Sequence, residues 1–150
     1  PEAYFNLGAA LSNSGHLVEA AQRYLEAKER YTVGSKDWAD ATAEAINVLQ
    51  LPDCAEAAKP EWWNDEGLKA LSVRVVTLSP NEEVAIKIRA LVLSGSGAWE
   101  VGPRSAAELK EAAAHFERAA ALCPAPAARA EYAHSAGCCR SQAAAMQLRM

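Results

Sequence analysis

The chain has 150 residues, 51% of them apolar and 23% charged, with a formal net charge of −4. That length supports one buried core or a short helical array rather than two ordinary domains, and the balance excludes a disordered chain. A net negative charge without Lys/Arg clusters argues against nucleic acid, and no apolar run reaches membrane-spanning length, the best stretch (84–93) being broken by Lys87 and Arg89.

In chain order, the first predicted helix covers Glu2 to Asn13, closed by the turn Asn13-Ser14-Gly15-His16. The second covers Leu17 to Tyr31, with Leu17, Ala20, Tyr24 and Ala27 on one stripe. Gly34 fits a left-handed stop, and Ser35 an N-cap for a third helix from Lys36 to Gln50 that aligns Trp38, Ala41, Ala45 and Val48. Residues 51–60 carry two prolines and no stripe, which predicts an extended loop. A fourth helix is expected to begin near Pro60-Glu61, with proline in the first turn, and to carry Leu68, Leu71, Val75 and Leu78. The fifth covers Glu82 to Ser94, and the Gly-rich run 95–103 predicts a second long turn. Ser105 and Glu108 form a capping box for the sixth helix, whose face holds Ala112, Phe116, Ala119 and Leu122. A last helix from about Ala127 to Leu148 bears Tyr132, Ala136, Cys139, Ala143 and Met146.

Residues 1–34 combine Tyr4, Leu7-Gly8, Leu11, Ala20, Tyr24 and Ala27 at fixed separations. This pattern resembles the 34-residue tetratricopeptide repeat, in which small residues let two helices approach and bulky ones fill the rest. A family of longer helical-hairpin repeats with Gly-x-Gly turns, echoed by Gly95-Ser96-Gly97, ranks second. The resemblance implies an all-α fold: a right-handed α-solenoid of three hairpins (1–34, 35–80 and 81–124), the last two enlarged, closed by a capping helix over 125–150. Equivalent insertions emerge on one edge of such an array, so segments 51–60 and 95–104 are expected to be neighbours, with Trp62 or Trp63 meeting Trp99.

The resemblance also implies a single domain that holds a protein or peptide partner, in a groove lined by the first helix of each hairpin, and has no catalytic activity. Candidate partner contacts are Phe5, Asn13, Asn47, Arg89 and Arg140, with Trp99 on the inserted edge. One subgroup grips acidic chaperone tails with a Lys and an Asn; those places hold Phe5 and Ala9 here, which speaks against that ligand. A start at Pro1 and a stop at Met150 are expected of a piece of a longer protein, so an alternative reading is the regulatory segment of a larger enzyme.

None of the four cysteines forms a Cys-x-x-Cys clamp, and no cofactor or metal is expected. The one two-ligand spacing is His134 with Cys138, which would need His115 or Cys123 to complete a site; small cysteines packed between helices are the better account. The cysteines read as reduced, in an intracellular, cytoplasmic setting. No phosphate-binding loop or nucleophile–base pair is found.

Overall fold

The structure, a computed structural model, describes residues 1–149. Among these the fold is all-α: α1 (Glu2–Asn13), α2 (Leu17–Arg30), α3 (Lys36–Leu49), α4 (Asp65–Leu78), α5 (Glu83–Ser94), α6 (Ala106–Leu122) and α7 (Pro126–Leu148), with a 3₁₀ turn at Pro52–Cys54. Met150, the last residue of the expected capping segment, lies outside the described residues. Each helix packs against the next in sequence, and α3 also packs against α5.

Local chemistry sets the boundaries. Gly15 (φ 83°), Gly34 (φ 87°) and Gly95 (φ 72°) turn the chain where left-handed backbone is needed. Ser35 caps α3 by accepting from the Trp38 N–H, and Ser105 with Glu108 closes α6 in a reciprocal capping box. The fourth helix departs from expectation. Pro60 does not start it; Asn64 does, its side chain accepting from the Gly67 N–H, with Asp65 and Glu66 in the first turn. Trp62 and Trp63 therefore sit in a turn ahead of the helix, not on it. Asparagine at the cap satisfies a helical N–H that Pro60 has no side-chain oxygen to reach.

The core forms three successive clusters. The first joins α2 and α3, with Ala20, Tyr24, Ala45, Val48 and Leu49, and Phe5 and Leu11 of α1 pack against it. The second joins α3, α4 and α5 through Ile46, Leu68, Val75, Ile88 and Val92. The third joins α5, α6 and α7 through Ile86, Leu93, Phe116, Tyr132 and Cys139. Helices α3 and α5 each serve two clusters, so Ala39, Ala41, Ala43 and Ala45 of α3 are all buried although they point in different directions. The terminal helices bury one side only. In α7 the buried residues Tyr132, Ala136, Cys139 and Ala143 step by four, three and four.

Side-chain size sets the helix spacing at the N-terminal end. A Cβ on Gly8 would lie 3.0 Å from the Tyr24 ring, which Phe5 meets edge-on at 5.3 Å. Leu7, expected to fill space between helices, is 46% exposed because among the described residues α1 packs chiefly on α2. No helix among the described residues is long and apolar enough to cross a membrane.

Candidate functional site

Helices α1, α3 and α5 contribute to one recess. Phe5 of α1, Asp40, Ala43 and Glu44 of α3, and Val84 and Ala85 of α5 with the preceding Glu82 line a recess of about 130 Å³. Four apolar side chains and three carboxylates line it, so its surface is mixed. Two of the carboxylates are already engaged. Lys36 Nζ donates to Asp40 Oδ2 at 2.8 Å and to Glu82 Oε1 at 3.3 Å, and Ser79 Oγ donates to Asp40 Oδ1 at 2.8 Å.

Glu44 is different. It is half-buried and makes no ion pair among the described residues. Burial raises its carboxyl above the ordinary 4.5, Lys87 pulls it back, and the charges of Asp40 and Glu82 raise it again. The same desolvated surroundings push the Tyr24 phenol up to about 12, with the Glu44 charge as the second cause. An unpaired carboxylate against apolar side chains is a place where an incoming cation gains more than it would in open water.

The sequence-predicted contacts separate. Phe5 lines the groove. Asn47 is half-buried and its Oδ1 has no hydrogen-bond partner among the described residues, while Asn13 is exposed at the end of α1. Arg89 is directed elsewhere: Nη1 donates to Lys69 O and to Ser72 Oγ, each at 3.1 Å, and Nε to Glu111 at 3.3 Å, tying α5 to α4 and α6. Exposed Arg140 donates to Glu117 of α6. Lys87, two residues before Arg89, is the α5 cation that acts on Glu44. On a helix two residues differ by about 200°, which separates these roles.

Trp63, just after the first inserted segment, meets Trp99 of the second. Trp63 Nε1 donates to Ala98 O at 3.0 Å, and the Trp63 and Trp99 rings meet edge-to-face at 6.1 Å and 84°. Trp99 Nε1 donates to Asp65 Oδ1 at 3.1 Å, so the ring candidate on this edge has its N–H engaged inside the chain. A Cβ on Gly97 would fall 1.6 Å from that ring, which requires glycine there. Asp65 also accepts from the Gly102 N–H and from both Arg104 Nη atoms, and these donors, the guanidinium foremost, hold its carboxyl well below the usual carboxylate range. The position of Asp65 as the hub carried no periodic signal.

His134 Nε2 and Cys138 Sγ stand 3.6 Å apart on α7 as their spacing requires. His115 instead meets Glu111, and Cys123 packs in the third cluster. No group of three or more His, Cys, Asp or Glu side chains among the described residues is placed to hold a metal ion.

No protein-family model, curated protein or solved structure matches the chain.

Proposed function

We propose that the chain is a non-catalytic scaffold that holds a segment of another protein. The reading takes the helices as a right-handed α-solenoid of tetratricopeptide type: three hairpins, α1/α2, α3/α4 and α5/α6, with α7 as the cap. The succession of three cores, with α3 and α5 each shared between two, is the observation that supports it. An array of this kind buries each hairpin against its neighbour and leaves the first helices along one continuous groove. The preformed surface costs little ordering on binding.

Within the groove, Phe5, Ala43, Val84 and Ala85 supply apolar contact and Glu44 supplies the anchoring charge. The partner segment then carries a Lys or Arg among apolar residues. Panning a displayed library of random peptides against the immobilised protein tests this. Enrichment of a basic residue beside apolar ones is expected, with binding lost on Glu44→Gln and on Phe5→Ala. Selected peptides that bind both variants as well as the parent protein would refute the groove as the contact surface.

A further inference from the structure

A second recess lies between α2 and the first inserted segment. Leu25 and Lys28 of α2 face Ala58, Lys59, Pro60 and Trp62 across a cavity of about 270 Å³, with Glu29 at the same lining. That volume accommodates roughly one large side chain. We propose that this cavity receives a carboxylate on a short apolar stem, presented by an acidic residue of a partner protein.

The cations and the aromatic wall carry the argument. Lys28 Nζ lies 5.5 Å from the Trp38 ring centroid and 5.3 Å from that of Trp62. Arg74 Cζ lies 4.8 Å from the same Trp38 ring, so two cations share one indole. Neither makes an ion pair among the described residues. Burial lowers the Lys28 ammonium from its ordinary 10.5, Glu29 raises it, and Arg74 lowers it again. Ring faces compensate a desolvated ammonium only in part, and a carboxylate at hydrogen-bond distance compensates it more fully.

Lys59 adds to the complementarity. Its Nζ donates to Cys54 O at 2.5 Å and Ala57 O at 2.8 Å, which fixes the loop that walls the cavity. An ammonium has three N–H donors, so one is left for a ligand. Two ammoniums against one carboxylate give the lining a net positive charge, while Leu25, Ala58, Pro60 and Trp62 suit an apolar stem. This surface lies apart from the groove and stands whether or not the groove reading does.

The test uses the full chain with unmodified lysines carrying biosynthetic ¹³Cε label, and Lys28→Gln to assign the Lys28 resonance. Titration with 4-methylpentanoate should shift that resonance saturably and leave Lys36 and Lys110 unmoved. The neutral 4-methylpentanamide should bind about tenfold more weakly or not at all, the loss of one charge-assisted hydrogen bond. The proposal is overturned if the amide performs equally, if all lysines shift alike, or if inorganic phosphate moves Lys28 more strongly than the carboxylate.

Discussion

Arg104 grips Asp65 across 39 residues of sequence with two parallel hydrogen bonds, Nη1 to Oδ2 at 2.9 Å and Nη2 to Oδ1 at 2.5 Å. The guanidinium side chain is 8% exposed and the carboxylate 21%. Nη2 also donates to Val92 O at 2.8 Å, so one arginine joins the second insertion, α4 and α5.

Asp65→Ala should therefore cost roughly 2–4 kcal/mol, because it strands a mostly buried guanidinium and removes the acceptor for Trp99 and Gly102. Thermal unfolding should show a fall of roughly 6–12 °C. Arg104→Lys should recover only part of the pair, since an ammonium cannot reproduce the fork. The pH dependence follows from the depressed folded-state carboxyl. The unfolded chain takes up the proton first, near pH 4, so the contribution is complete above that value and is lost as pH falls below it. An Asp65→Ala variant that unfolds with the parent's midpoint at pH 7 contradicts the assignment.

Two helical glycines should respond oppositely to alanine. At Gly8 the new methyl meets the Tyr24 ring at 3.0 Å, and Tyr24, 3% exposed and braced by Phe5, has little room to give. Overpacking outweighs the helix-propensity gain, and Gly8→Ala should destabilise by about 1 kcal/mol. At Gly137 no packing partner among the described residues lies within 4 Å of the added Cβ, so alanine should stabilise α7 by roughly 0.5–1 kcal/mol. Urea titration of both variants gives the comparison, and shifts of the same sign would be the failing result.

Glu44→Gln should raise stability while removing the anchor proposed for a partner segment. A carboxyl raised above 4.5 in the fold favours the folded state only when protonated. Stability is thus lost as pH climbs from about 4.5 through the folded-state value, and then levels off. The glutamine variant should match the parent below pH 4 and exceed it at pH 7, by on the order of 1 kcal/mol or less. Calorimetric melts at the two pH values measure this, and a less stable variant at pH 7 would be inconsistent with an unpaired, desolvated charge.

Gly97→Ala should expel the Trp99 ring, which lies 1.6 Å from the site of the added Cβ. Loss of its contact with Trp63 and its bond to Asp65 should red-shift tryptophan emission and cost roughly 2–3 kcal/mol. Emission and melting temperature equal to the parent's would show that the loop backbone absorbs the change.

Helix positions were readable because they rest on local chemistry, whereas the Trp63–Trp99 meeting was expected only from the repeat resemblance. Ser105 and Glu108 signal a cap within four residues, and Tyr24, Ala27 and Trp38 sit on stripes whose period is set by the helix itself. The start of α4 was misread although Asn64-Asp65-Glu66 carries a cap and acidic first turn, because Pro60 offered a competing signal. Long-range polar pairing was not readable. An aspartate in a first turn looks like an ordinary complement to the helix dipole, and nothing near Asp65 points to an arginine 39 residues on. The direction of Arg89 failed for a related reason: residues two apart on α5 face opposite neighbours, and only the placement of α4 and α6 decides which is which.

One carboxylate fastens both enlarged connections at once, accepting from Trp99, Gly102 and Arg104 while Trp63 holds Ala98. Neither connection can lift away without breaking the hold on the other. Opening of this side is then a concerted event, and amide protons along 98–104 and at the start of α4 should exchange with solvent at a common rate.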